Sequence, residues 1–296
     1  MKYSVRIGLD VAFKYIFKAT GLLVLCLLGG ILAMLIYNSF SFFTHVKPLD
    51  FITGMEWNPT AKKPVYGMLP LILSTTMVTI GAMIIAIPLG IGTAAFISEY
   101  AGKRLKNILK PAIEMLAAVP SVVIGFLGIV VVSPNLADMA GLPNGLNALN
   151  GAILLAVMAL PTIITIAEDA IHAVPKTYKE ASYGVGATKW QTLRKVIIPA
   201  AGPGIISAIM LGVGRAIGET MTVLMATGNA ALIPTGFFDS VKTMTATIAI
   251  EMGEVPYQTT HYYGLYALAT VLFFMTLIAN IVGEYFINRL RKYHAA

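Results

Sequence analysis

Charge is scarce in this chain. Asp, Glu, Lys and Arg supply 12% of its 296 residues, about half the share of a soluble protein, while 57% are hydrophobic. So little charge cannot coat a water-facing surface, and the composition reads as an integral membrane protein forming one bundle over residues 1–296. Chemically active residues are as sparse. The single cysteine, Cys26, lies in an apolar run and excludes an intrachain disulfide. His45, His172, His261 and His294 are scattered without metal-ligand spacing. No G-x-x-x-x-G-K-[S/T] stretch could cradle nucleotide phosphates. Ser121 follows Pro120, but no His or Lys is placed to make it a nucleophile. No catalytic residue, metal or cofactor of its own is therefore expected. A fixed-period repeat, a low-complexity segment and a cleavable signal peptide are likewise not evident. The net charge of +7 would suit nucleic acid, yet no basic face carries interleaved aromatics.

What the chain has in abundance is long apolar runs. A span needs about 20 such residues. The pattern predicts six, over about 20–42, 66–97, 111–132, 148–166, 200–226 and 263–286, with residues 1–19 as a basic tail and 133–147 as a short loop. The second run exceeds one upright crossing and is expected to tilt or kink near Pro88; Pro161 lies inside the fourth. In the outer loop 227–262, Met244–Met252 is apolar enough to dip into the membrane edge or form a surface helix. Sixteen of the 21 Lys and Arg fall in the tails, the 98–111 connection and the 175–199 segment. That bias supports an even number of crossings with both ends in the cytoplasm. Glu99 and Glu114 read as interfacial, and Glu168 and Asp169 as partners for nearby lysines.

The segment from Thr177 to Pro199 is polar yet patterned as folded. Thr177 with Glu180, and Thr188 with Gln191, each have the spacing of a capping box, so two helix starts are predicted. Gly184 and Gly186 lie between them, where a sharp turn benefits from a missing Cβ. Glu180, Ala181, Ser182, Gly186, Val196, Ile198 and Pro199 resemble the E-A-A-x3-G-x9-I-x-L-P loop of ABC importer permeases. The resemblance implies an all-α membrane protein with the type I importer permease fold. It also implies that this cytoplasmic helix pair docks on an ATPase subunit, which would hold the ATP and Mg.

Within the fifth run, Arg215 and Glu219 stand at membrane depth, where charge is costly and tends to line a pathway. Four residues apart on one helix, they would share a face and pair. Gly204, Ala208 and Gly212 lie on the same stripe and would admit another helix closely. The ordinary alternative is an ion pair that only orders the bundle. G-R-A-I-G-E-T-M (214–221) and E-M-L-A-A-V-P-S-V-V-I-G (114–125) resemble the phosphate permeases of Pst importers, the PstC-type subunit more than the PstA-type, across roughly 66–292. That likeness implies a bacterial inner-membrane phosphate importer with Arg215 and Glu219 in the anion pathway. Its partners would be a second permease, two ATPase subunits and an extracytoplasmic phosphate-binding protein. Ser121 would offer the pathway a hydroxyl, although such a serine more often bonds its own helix. A permease for another oxyanion and a gradient-driven carrier remain as alternatives. The absence of an inverted repeat and the presence of the helix pair weigh against the second.

Overall fold

A computed structural model describes residues 2–295, with side chains from Phe13 to Leu290. Helix α1 (Lys2–Phe43) runs unbroken through the stretch expected as a tail. Helix α2 (Pro48–Thr53) and a hairpin pairing Trp57 with Tyr66 follow. Helix α3 (Leu69–Ala95) contains Pro88 and closes in a π-helical turn, Phe96–Tyr100.

The third span departs from expectation. Helix α4 (Lys103–Ala117) is a separate amphipathic helix with no buried residue. It stops where Pro120 forces Val119 out of helical geometry. The apolar crossing is Ser121–Ala140, built from α5 (Ser121–Leu127), a π-helical turn and α6 (Ser133–Ala140). Residues 133–140 are therefore helix rather than loop, ended by left-handed Gly141. The shift has an electrostatic cause. Lys106 and Lys110 each reach a carboxylate oxygen of the buried Glu168 at 2.5 Å, and Lys110 lies 3.5 Å from Asp169. These contacts hold α4 beside the end of α7 (Ala148–His172).

Helices α8 (Lys176–Gly184), α9 (Lys189–Thr192) and α10 (Ile198–Ala200) form the polar segment, with a π-helical turn joining the last two. At Ala201 the chain bends by 71° into α11 (Gly202–Gly218). Two short helices, α12 (Met221–Ala226) and α13 (Met244–Glu251), precede α14 (Thr260–Ala295). Among the described residues, five helices are long and apolar enough to cross a membrane, or six with the bent pair.

Helix α7 is the axis of the bundle. The most apolar stretch of α7 is 61% buried, whereas that of α1 is not buried at all, and the described side chains of α1 are buried only at Ser39 and Phe42. Small side chains let α3 and α7 approach: Val78, Ala82 and Ala86 pack with Ala152, Ala156 and Ala159. The opposite end from α4 and α8 is closed by a polar knot. The Glu251 carboxylate accepts from Trp57 Nε1 at 3.1 Å and lies 2.5 Å from Lys242 Nζ and 2.7 Å from His261 Nε2. Burial pushes this carboxyl up, but hydrogen bonds from His261, Lys242 and Trp57 and the Lys242 charge hold it below the usual carboxylate range. Helix α13 is folded inward rather than lying on the surface. Met244, Ala246 and Thr247 are fully buried, and Met244 N donates to Thr75 Oγ1 of α3.

Candidate functional site

The fifth crossing is interrupted. Gly218 ends α11, and Glu219 is extended, with φ −69° and ψ 133°. The turn that would have carried Glu219 over Arg215 is gone, and the expected pair does not form. No carboxylate among the described residues lies within 4.0 Å of Arg215. Instead Arg215 Nη1 donates to Thr162 Oγ1 of α7 at 3.2 Å, leaving most of its guanidinium fork uncommitted among the described residues. Glu219 Oε1 accepts from Thr222 N at 3.3 Å and so caps α12, while the Glu219 carbonyl accepts from Thr245 Oγ1 at 2.8 Å. Its Oε2 takes no donor among the described residues.

The small-residue stripe behaves as expected. A Cβ on Gly204 would stand 2.4 Å from Ala170 Cβ, and one on Gly212 would stand 2.8 Å from Ile163 Cγ1. Ala208 is fully buried. The stripe seats α11 on α7, which puts Arg215 beside Thr162. Ser121 is also close to the break, through its backbone: Thr222 Oγ1 lies 3.2 Å from the Ser121 carbonyl. The Ser121 hydroxyl makes no hydrogen bond among the described residues, and the half-buried side chain lies at the first residue of α5. The start of the third crossing thus meets the break in the fifth.

The polar helix pair forms with one correction. Thr188 and Gln191 make the predicted capping box, at 3.3 and 2.8 Å. Thr177 does not cap: α8 begins at Lys176, two residues earlier than a Thr177 cap would start it, with Pro175 as the cap, and Thr177 and Glu180 lie inside the helix. Gly184 closes α8, and Gly186 makes the turn at φ +81°, which an L side chain adopts only under strain. Glu180, Ala181 and Gly186 are exposed; Ser182 is half-buried and meets Thr192 Oγ1 at 2.9 Å. Val185, 85% exposed, and Trp190, 58% exposed, stand beside them.

Contacts of the pair with α3 were not legible beforehand. Lys179 Nζ lies 2.5 Å from Glu99 Oε1, and Lys189 Nζ stands 4.6 Å over the Tyr100 ring. These lysines carried only topological weight in the sequence, and Glu99 read as merely interfacial.

Residues 86–292 match the family model described as binding-protein-dependent transport system inner membrane component. The chain belongs to this family. It is accordingly an ABC importer permease, a multi-pass transport subunit of the inner membrane and not an enzyme. It is 41% identical over 244 residues to the probable ABC transporter permease protein YqgH of Bacillus subtilis, covering 82% of this chain and 79% of that one. It is 35% identical over 300 residues to the phosphate transport system permease protein PstC of Mesorhizobium japonicum, covering 95% and 90%. A bacterial importer of the polysaccharide alginate superposes with a TM-score of 0.64 at 15% identity, over 96% of this chain and 99% of that one. At that identity the likeness speaks for the fold alone. Membership brings a second permease, an ATPase and a binding protein as the permease's partners.

Proposed function

We propose that this permease carries inorganic phosphate inward, and that the anion passes Arg215 at the broken fifth crossing. The observation that carries the reading is the Arg215 fork, held within the fifth apolar run by one hydroxyl and, among the described residues, committed to no carboxylate. A guanidinium fork matches phosphate oxygens, and an unpaired one is ready to receive them. Relatives named phosphate transport system permease protein support the choice of anion. Glu219 Oε2 would take the proton that phosphate retains near neutral pH. Sulfate has none to give, so the carboxylate would disfavour it.

In this reading the Lys-rich end faces the cytoplasm. Glu180, Ala181, Ser182 and Gly186 seat the helix pair on one of two ATPase subunits, which bind the ATP and Mg; this chain binds no cofactor. A second permease of PstA type completes the pathway, and an extracytoplasmic phosphate-binding protein delivers the anion.

The test is uptake by the reconstituted complex with its own binding protein, comparing labelled phosphate with labelled sulfate. ATP-dependent accumulation of phosphate with sulfate excluded is expected. Preference for sulfate or another oxyanion would overturn the substrate assignment while leaving the permease class intact.

A further inference from the structure

The helix pair is anchored to α3 by both of its halves. Lys179 of α8 points inward to Glu99, whose side chain is 7% exposed, while its neighbour Glu180 points outward. Lys189 of α9 sits over the ring of Tyr100, the next residue after Glu99. Between these polar contacts lies an apolar seam in which Ile97 packs with Leu193 and Ile197, all nearly inaccessible. Ser182 and Thr192 join the two halves at 2.9 Å, so the pair is bound to itself as well as to α3. An exposed ion pair would contribute little. This one is different, because pulling Lys179 away would strand a buried carboxylate. The attachment point is the π-helical turn Phe96–Tyr100, a geometry found mostly at functional irregularities.

Helix α3 also reaches the broken crossing. At its other end Thr75 and Thr79 pack around the break together with Glu219, Thr243 and Thr245. Thr79 and Glu99 are separated by roughly 30 Å of helix at ~1.5 Å per residue.

We propose that α3 is the lever of coupling. Glu99 and Tyr100 receive the movement of the helix pair through Lys179 and Lys189, and α3 carries it to the break at Glu219. The inference rests on the reading of the pair as the ATPase-docking element. It adds that docking and transmission use different residues, Glu180 facing the partner and Lys179 facing α3. Glu99 is then a positioning residue and touches neither ATPase nor anion.

The experiment uses the full complex in proteoliposomes, with ATPase co-purification, ATP hydrolysis and phosphate uptake measured on the same preparation. For Glu99→Gln, normal ATPase association and hydrolysis are expected, with uptake per ATP lower by about tenfold. The exchanged pair Glu99→Lys with Lys179→Glu should regain most of the loss, which a general packing defect would not allow. Where Glu99→Gln is poorly made, Glu99→Gln combined with Lys179→Gln supplies the same readout, since the two amides can hydrogen-bond and no charge is left stranded. Normal uptake per ATP in the neutralised variants, loss of ATPase association, or an assembled exchanged pair as defective as Glu99→Gln would each overturn the lever. Gly186→Leu run alongside addresses docking separately. If it keeps the ATPase, the docking reading fails whatever Glu99→Gln does.

Discussion

Arg215 and Thr162 form a small unit on two facing helices, and its chemistry is tested one atom at a time. Arg215→Gln removes a cation that has no carboxylate partner among the described residues, so no charge is stranded. The variant should reach wild-type abundance in the membrane and lose phosphate uptake; disappearance of the protein on immunoblots would instead mark Arg215 as structural. Thr162→Val keeps the side-chain volume and deletes the acceptor. One hydrogen bond of about 1 kcal/mol corresponds to roughly a fivefold rise in the apparent KM for phosphate. Thr162→Ser should restore the wild-type value, which a packing defect would not. Arg215 stood out in the sequence because a charge inside an apolar run is conspicuous. Thr162 did not, because a hydroxyl one residue after Pro161 carries no signal until a second helix is placed against it. The supposed Arg215–Glu219 pair failed for a local reason. Gly218 ends the helix between them, and the four-residue spacing loses its meaning once the helix stops.

At the level of elements, the helix pair and the polar knot at the other end make separate claims. Gly186→Leu places a side chain at φ +81°, a strain of about 1–2 kcal/mol confined to an exposed turn. The bundle should insert normally and the ATPase should fail to co-purify. Glu180→Ala should have the same effect without loss of stability, since Glu180 serves no cap. Glu251→Gln tests the knot. The folded-state carboxyl is held below its ordinary value, so its contribution is fully present above that value and vanishes as pH falls through the lower, folded one. In detergent at pH 7 the variant should therefore be less stable than wild type, by about 2 kcal/mol for lost charged hydrogen bonds. The gap in Tm should close as the solution is taken below pH 4.5, the ordinary value from which the Glu251 carboxyl is depressed. A gap that persists there would mean that Glu251 acts through shape alone. The knot drew no notice in the sequence because Trp57 lies 194 residues from Glu251, and Lys242 and His261, nine and ten residues from it, share no helical spacing with it.

At the scale of the whole molecule, the charge bias predicts an even number of crossings with the basic end on the cytoplasmic side. In a Cys26→Ser background, Val185→Cys and Tyr257→Cys should label from opposite faces of the membrane. An impermeant maleimide should reach Tyr257→Cys in intact spheroplasts and Val185→Cys only after permeabilisation. Labelling of both from the same side would break the topology. The sequence by itself determined the membrane class, the apolar crossings, the Thr188 capping box and the glycine turn. Each of these depends on neighbours a few residues apart, where hydropathy, hydroxyl spacing and a missing Cβ act locally. Only the tertiary structure decided where the third crossing begins, because a buried Glu168 draws Lys106 and Lys110, and with them α4, toward α7. It also decided the partners of Arg215, Glu99 and Glu251. Those contacts join residues nine or more positions apart, and their energy depends on burial, which no local pattern encodes.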